Sequence, residues 1–189
     1  MTAIIDYKAG NLTSVKLAFA ALGAEAVVTS DPKVIAAADR VVFPGVGAAK
    51  SAMENLRALG LVEAVKEASA TKPFLGICLG MQILFDHSEE DGGVDCLGII
   101  SGNVRRFPTV PGFKVPEIGW NGVEGLDGKE FYFVHSYYAE VVPETAGVTE
   151  YAGVKFTAMV KKDRLWACQF HPEKSGRIGL ELLKEWLSC

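Results

Sequence analysis

The first half of the chain alternates short apolar runs with stretches in which apolar residues recur at helical spacing. The apolar runs predict buried strands over residues 3–5, 26–29, 40–43 and 74–77. The helical spacing predicts helices over residues 12–22, 48–59, 61–70 and 79–85. Asn11 is the predicted N-cap of the first helix and Gly23 its end. Apolar strands separated by helices are typical of an α/β fold with an open, mostly parallel sheet and helices on both faces.

The second half of the chain is dominated by turns and short strands. The aromatic run 131–134 predicts a strand, and the runs 156–160 and 165–170 predict an antiparallel hairpin. A final helix is predicted to open at Ser175 or one residue before it. No repeat, low-complexity stretch or linker divides the sequence. We therefore expect residues 1–189 to form one domain, with a smaller antiparallel region in its second half.

Charge and composition exclude several classes of function. The formal net charge is −4, whereas binding to nucleic acid or to an anionic membrane needs a positive field. No apolar run approaches the roughly 18 residues of a membrane span, and no basic leader precedes Asp6, so no secretory signal is expected. The cysteines have neither Cys-x-x-Cys nor metal-site spacing, so we expect reduced thiols in the cytoplasm and no metal site. They are Cys78, Cys96, Cys168 and Cys189.

Cys78 stands where a buried strand meets a helix, within Gly76-Ile77-Cys78-Leu79-Gly80. This is the Gly-x-nucleophile-x-Gly pattern of a nucleophile elbow, in which neighbouring main chain comes so close that the flanking residues must be small. The sulfur is expected at the carboxyl end of the sheet, with the start of the next helix favouring the thiolate. We interpret the other three cysteines as inert.

His171 is the best placed of the three histidines to act as a base. In His171-Pro172-Glu173 the proline restricts the backbone, so the ring and the carboxylate have a defined relative placement. A carboxylate on the far ring nitrogen would set the tautomer and stabilise the imidazolium. His87 lies in a polar segment, and we interpret His135, on the aromatic strand, as a core or binding residue.

The turn Pro44-Gly45-Val46-Gly47 follows the third predicted strand. Its Gly-x-Gly spacing invites a dinucleotide-binding interpretation, but Lys50 replaces the third glycine of that motif. A main-chain segment whose N–H groups bind a developing oxyanion suits the neighbouring cysteine elbow better.

Together these segments resemble the class I glutamine amidotransferases, whose triad runs Cys, His, Glu along the chain. Cys78, His171 and Glu173 match that order, within Gly-Ile-Cys-Leu-Gly-Met-Gln and Gln-Phe-His-Pro-Glu-Lys-Ser. Four further segments resemble the glutaminase subunits of imidazole glycerol phosphate synthases. They are Asp6-Tyr7 with Gly10-Asn11-Leu12, Pro44-Gly45-Val46-Gly47-Ala48, Gly119-Trp120-Asn121 and Phe133-Val134-His135-Ser136-Tyr137.

The resemblance implies a reaction and a set of site residues. Cys78 would attack the side-chain amide of glutamine and form a thioester, with His171 as acid and base and Glu173 orienting the ring. The oxyanion would be bound by main chain at Gly45, Val46, Gly47 and Leu79. Glutamine would be held by Gln82, Ser136 and Tyr137. No cofactor is implied.

The resemblance also implies a partner. Ammonia would pass to a cyclase/synthase (β/α)8-barrel, a separate chain that forms a heterodimer with this one and makes imidazole glycerol phosphate in histidine biosynthesis. The implied docking face includes Asn11, Trp120, Asn121 and Lys174.

One departure from the family pattern concerns that face. Glu117 stands where the family usually has histidine, which changes charge and hydrogen bonding at the expected interface. Lys8-Ala9 and Ala49 are further departures, and none of them touches the triad.

Three alternatives remain open at this point. The first is the glutaminase subunit of another synthase, serving anthranilate or pyridoxal phosphate synthesis. The second is a cysteine hydrolase of the α/β-hydrolase or DJ-1-like type, which would normally place its acid before its histidine. The third is a non-catalytic interaction module that kept the fold.

Overall fold

The computed structural model describes all 189 residues. The strands are β1 (Thr2–Ile5), β2 (Ala26–Thr29), β3 (Arg40–Gly45), β4 (Phe74–Cys78), β5 (His87–Ser88), β6 (Val94–Asp95), β7 (Asn103–Arg106), β8 (Glu117–Gly122), β9 (Glu130–His135), β10 (Tyr137–Ala139), β11 (Thr145–Tyr151), β12 (Val154–Lys162) and β13 (Leu165–Cys168). The α-helices are α1 (Leu12–Ala21), α2 (Pro32–Ala37), α3 (Ala49–Ala58), α4 (Val62–Thr71), α5 (Leu79–Gln82) and α6 (Gly176–Leu187). Short 3-10 helices cover Glu90–Gly92 and Pro172–Lys174.

Five parallel strands form the part of the large sheet that carries the predicted α/β pattern. Their order is β2-β1-β3-β4-β13, so β3 and β4 lie near its centre. All four strands expected in the first half are present, and β3 continues two residues further, through Gly45. The predicted fold class is confirmed.

The predicted hairpin is also confirmed, and it joins the two parts of the large sheet. β12 pairs with β13 in antiparallel fashion, while β13 lies parallel to β4 with Leu165 beside Phe74. Beyond β12 the sheet continues through β10, β7, β5 and β6, and β11 also pairs with β12. The strand predicted over 131–134 is β9, which forms a separate two-stranded sheet with β8.

Helices cover both faces of the parallel strands. Successive strand residues alternate between two apolar clusters, as the pleat requires: Ile4 belongs to one cluster and Ile5 to the other. One cluster includes the buried faces of α3 and α4, and the other includes those of α1 and α6. No helix in the structure has the length and apolar content needed to cross a membrane.

One helix prediction needs correction, and one helix was missed. The helix expected over 79–85 ends at Gln82, because beyond the Ile83 N–H, which still bonds to Leu79, the N–H groups bond three residues back, Leu84 to Met81 and Phe85 to Gln82. The side chains at 83–85 are fully buried, so core packing overrides the local helical pattern there. Helix α2 was not expected; it is short, capped by the Asp31 side chain and buries only Ile35.

The close approach of β3 and the turn after β4 generates a prediction about stability. A Cβ on Gly80 would overlap the carbonyl oxygen of Phe43, which is main chain and cannot move aside. We expect Gly80→Ala to lower the free energy of unfolding by about 3 kcal/mol through overpacking. Urea denaturation measures the change. Gly122→Ala is the matched control, because its Cβ would meet only an ordinary contact at 3.5 Å; equal effects of the two variants would contradict the prediction.

Candidate active site

Cys78 occupies a strained turn between β4 and α5. Its φ of 54° lies in the left-handed region, which a side chain other than glycine adopts only where the surroundings impose it. Gly45, the last residue of β3, lies beside Cys78 in the parallel register. The flanking glycines are needed, because a Cβ on Gly76 would come within 3.1 Å of Ala167 and one on Gly80 would overlap Phe43. The turn has the form expected of a nucleophile elbow.

A cavity of about 290 Å³ opens over this turn. It brings together most of the residues singled out in the sequence. Its lining comprises Val46, Gly47, Cys78, Leu79, Gln82, Glu90, Pro116, Val134, His135, Ser136, Tyr137, His171 and Lys174. A larger cavity of about 610 Å³ lies beside α4 and the β12–β13 turn, and no cysteine or histidine lines it. The chemistry-bearing side chains therefore converge on the smaller cavity.

His171 is held rigidly at the wall of the cavity. Its main-chain N–H donates to the carbonyl of Tyr132 on β9 at 2.9 Å. The hydroxyl of Ser175 donates to the His171 carbonyl at 2.6 Å and accepts from the N–H of Tyr132 at 3.0 Å. On the ring, Nδ1 lies 2.8 Å from Oε1 of Glu173. The carboxylate therefore fixes the ring orientation and leaves Nε2 for the cavity side.

The surroundings of His171 raise the pKa of its ring. Burial lowers the pKa of the ring, but hydrogen bonding and charge interactions with Cys78 and Glu173 outweigh it and raise the pKa to about 10. The sulfur and the carboxylate thus act on the imidazole from two sides. An imidazole that retains its proton at neutral pH can stabilise a thiolate and can protonate a leaving group.

Gln169 contacts Cys78, and sequence reasoning assigned it no role. Its Nε2 lies 3.7 Å from the Cys78 sulfur, and its Oε1 accepts a hydrogen bond from Nε2 of Gln82 at 2.9 Å. The same Gln82 nitrogen donates to the Tyr137 carbonyl at 2.8 Å. Because a carbonyl can only accept, the atom of Gln82 that faces it must be the nitrogen. Oε1 of Gln82 accepts no hydrogen bond from the protein.

The Gly45–Gly47 segment presents free donors beside the sulfur. The N–H groups of Val46 and Gly47 have no hydrogen-bond partner within the protein, and both residues line the cavity. Leu79 opens helix α5, so its N–H has no partner inside the helix. Gly45 does not line the cavity; it is buried against the side chain of Tyr7.

The remaining cysteines and histidines lie in other environments. Burial raises the pKa of Cys96 to about 11 and that of Cys168 well above its ordinary value, so neither thiol ionises readily. Cys189 is exposed at the chain end. His87 pairs with Asp95 away from the cavity, and no group of three or more acidic, cysteine or histidine side chains could hold a metal ion.

Of the four expected docking residues, only Lys174 lines the cavity. Trp120 is 54% exposed and Lys174 is exposed at the cavity itself. Asn11 is half-buried and caps α1 by accepting from the Ser14 N–H. The amide nitrogen of Asn121 is bonded internally, to the carboxylate of Glu117 and to the carbonyl of Glu150.

Glu117 lies inside the protein, which corrects the expectation that it changes the charge of a docking surface. Only 3% of the residue is exposed, and its Oε2 lies 2.9 Å from Nε2 of His135. The other nitrogen of His135 lies 2.7 Å from the Tyr137 carbonyl. Glu117 therefore does not line the cavity itself but holds the side chain of His135, which does. The register of β8 and β9, which places Glu117 beside His135, could not be derived from the sequence.

Two further buried groups were missed by sequence reasoning. Glu90 lines the cavity; its carboxylate accepts from the N–H of Ala49 at 2.6 Å, and burial raises its pKa. The hydroxyl of Tyr7 is buried without a partner. No signal in the sequence marks Glu90. Tyr7 belongs to a segment that carries the family resemblance, but nothing there indicates a role for its side chain.

The raised pKa of His171 generates a prediction. In a Glu173→Gln variant the ring loses one of the two groups that raise its pKa, while burial, which lowers it, remains. We expect the His171 pKa to fall from about 10, so that the ring loses its proton at a lower pH than in the parent protein. NMR titration of labelled histidine side chains measures this. His87, which is distant from Glu173, is the internal control, and an unchanged His171 pKa would contradict the prediction.

Comparison with known proteins identifies the family. The model of the class-I glutamine amidotransferase family matches residues 3–187. The chain is 50% identical to the imidazole glycerol phosphate synthase subunit HisH of Dechloromonas aromatica, over 98% of this chain and 94% of that one. It is 48% identical to the same subunit of Methanothermobacter thermautotrophicus, over 99% of this chain and 98% of that one.

Solved structures share the fold at low sequence identity. A crystal structure of a glutamine amidotransferase matches with a TM-score of 0.76 at 20% identity, over 98% of this chain and 97% of that one. The structure of PurLQS from Thermotoga maritima matches with a TM-score of 0.68 at 15% identity, over 99% of this chain and 97% of that one. The chain belongs to the class-I glutamine amidotransferases and, among them, to the family of HisH subunits of imidazole glycerol phosphate synthase.

Proposed function

We propose that residues 1–189 act as one glutamine amidotransferase domain, which hydrolyses glutamine with a triad of Cys78, His171 and Glu173 and delivers ammonia to a synthase partner. The observation that carries this proposal is one cavity lined by a cysteine at a strained elbow and by a histidine whose far ring nitrogen contacts Glu173. The relatives, at 48–50% identity over nearly the whole chain, are HisH subunits; this disfavours the anthranilate, pyridoxal phosphate, hydrolase and non-catalytic alternatives.

The first half of the reaction forms a thioester. The Cys78 sulfur attacks the side-chain carbonyl carbon of glutamine, and the carbonyl oxygen becomes an oxyanion. Main-chain N–H groups at Val46, Gly47 or Leu79 donate to that oxyanion, a contribution that typically accounts for 10²–10³-fold in rate per donor. His171 then gives its proton to the departing nitrogen, ammonia leaves, and a γ-glutamyl thioester remains on Cys78.

The second half of the reaction restores the enzyme. His171, now neutral, takes a proton from a water molecule that attacks the thioester carbon. The second tetrahedral intermediate collapses, the C–S bond breaks, and glutamate leaves. The sum of both halves is glutamine plus water giving glutamate plus ammonia. Glu173 keeps the ring oriented through both proton transfers, since its Oε1 holds Nδ1 at 2.8 Å.

Glutamine is proposed to bind against three residues that line the cavity, Gln82, Ser136 and Tyr137. The free Oε1 of Gln82 can accept from the α-ammonium group, and Ser136 and Tyr137 lie in the same cavity for the α-carboxylate. Lys174 adds a positive charge at the mouth. The internal bonds of Gln82 to Gln169 and Tyr137 hold it ready for this role.

The partner is proposed to be a cyclase/synthase (β/α)8-barrel that forms a heterodimer with this chain. Ammonia released into water at neutral pH would be protonated and lose its nucleophilicity, so direct transfer is required. The barrel would join ammonia to an N-(phosphoribulosyl)formimino-aminoimidazole carboxamide nucleotide and yield imidazole glycerol phosphate and an aminoimidazole carboxamide nucleotide. The names of the relatives support this step of histidine biosynthesis.

The docking face is proposed to surround the cavity mouth. Trp120 is exposed, and large aromatic side chains commonly anchor protein interfaces. Asn11, Asn121 and Lys174 complete the face. All four cysteines are free thiols, which fits an activity in the reducing cytoplasm.

Removal of the nucleophile tests the proposed function. We expect the purified chain to release ammonia from glutamine slowly alone and faster with the barrel partner and its nucleotide. Cys78→Ala should lower the stimulated rate by at least about 10⁴-fold, because no thioester can form. A coupled assay for glutamate measures the rate.

The matched control is Cys189→Ala, which removes an exposed thiol far from the cavity and should leave the rate unchanged. Ammonia release by Cys78→Ala at the parent rate would refute the assignment of the nucleophile. An unmodified Cys78 after treatment with a glutamine analogue carrying an electrophilic side chain would favour a non-catalytic module.

A further inference from the structure

Tyr7 carries a buried polar group that the mechanism does not use. The residue has no exposed surface, and its hydroxyl has no hydrogen-bond partner. Its ring packs against Phe43 of β3, with ring centroids 5.0 Å apart. A buried hydroxyl without a partner destabilises a protein, whereas phenylalanine would fill the same space without that penalty.

The Tyr7 hydroxyl lies between the end of β3 and the elbow. It occupies the place that a Cβ on Gly45 would take, which explains the need for glycine at that position. A Cβ at that position would also lie 3.0 Å from Cβ of Leu79 and 3.1 Å from the main-chain nitrogen of Gly80. The hydroxyl therefore lies against Gly45, at the start of the segment that presents the oxyanion donors.

Few hydrogen bonds hold that segment. Gly45 and Gly47 flank Val46, and the N–H groups of Val46 and Gly47 have no partner that would hold them in place. Rotation of the peptide that joins Gly45 to Val46 would exchange the directions in which the Gly45 carbonyl and the Val46 N–H point. Burial raises the pKa of the Tyr7 phenol well above its ordinary value, and the nearby Cys78 raises it further, so the O–H remains a donor at every physiological pH.

We propose that Tyr7 is a positioning residue for the oxyanion-binding segment. Its O–H donates to the carbonyl of Gly45 when the Val46 N–H turns toward the oxyanion formed at Cys78. The hydroxyl has no partner in the resting arrangement and gains one in the arrangement that binds the tetrahedral intermediate. It therefore favours the second arrangement over the first. This inference rests on the proposed glutaminase reaction.

The test is Tyr7→Phe, assayed for glutamine hydrolysis with the barrel partner and its nucleotide. Loss of a hydrogen bond made only around the tetrahedral intermediate should lower kcat about tenfold with KM unchanged. The melting temperature should stay the same or rise, because an unpartnered buried hydroxyl is removed. Tyr151→Phe is the matched control, since it removes a hydroxyl bonded to the Lys114 carbonyl outside the cavity; its kcat should equal that of the parent.

Two outcomes would overturn the role of Tyr7. One is a kcat equal to that of the parent protein. The other is a loss of kcat together with a lower melting temperature, which indicates a packing role. Both are distinct from failure of the proposed function, in which the parent protein itself would release no ammonia or Cys78→Ala would be as active as the parent.

Discussion

The contact between the main chain of β3 and the turn after β4 is the constraint on which the rest of the site depends. Gly80 lies so close to the Phe43 carbonyl that no side chain fits between them, and this contact sets the position of the turn. The position of this turn imposes a positive φ on Cys78. Two adjacent parallel strands thereby place the sulfur and the Val46 and Gly47 N–H groups at one edge of the sheet.

Hydrogen bonds connect Cys78 to the two-stranded sheet of β8 and β9. From the Cys78 sulfur the contacts run through Gln169 and Gln82 to the carbonyl of Tyr137. His135 contacts the same carbonyl and pairs with Glu117, which accepts from Asn121 beside the exposed Trp120. Each of these polar side chains makes at least one hydrogen bond within the protein, which restricts the conformations that this wall of the cavity can adopt.

The sequence was informative wherever the controlling interactions are local. Apolar runs predicted the four strands of the first half, and the glycines around Cys78 predicted an elbow that the structure contains. The spacing His171-Pro172-Glu173 similarly anticipated the contact between ring and carboxylate. In each case the residues that decide the outcome lie within a few positions of one another.

Features that depend on strand order and register could not be predicted. Gln169 reaches Cys78 because β13 lies parallel to β4, although 91 residues separate the two. Glu117 was expected at a surface, yet the β8–β9 register buries it against His135. Helix α5 ends early because the side chains after Gln82 are needed in the core.

The proposed mechanism requires that the Cys78 sulfur forms a covalent bond to glutamine and that His171 donates a proton to the departing nitrogen. Acid-quenching the protein with its synthase partner during steady-state turnover of glutamine, followed by digestion and mass spectrometry, detects this bond. We expect a γ-glutamyl group on the peptide that contains Cys78, and we expect the modified fraction of this peptide to fall as the glutamine is exhausted. Sustained ammonia release with this peptide unmodified at every quench time would contradict it.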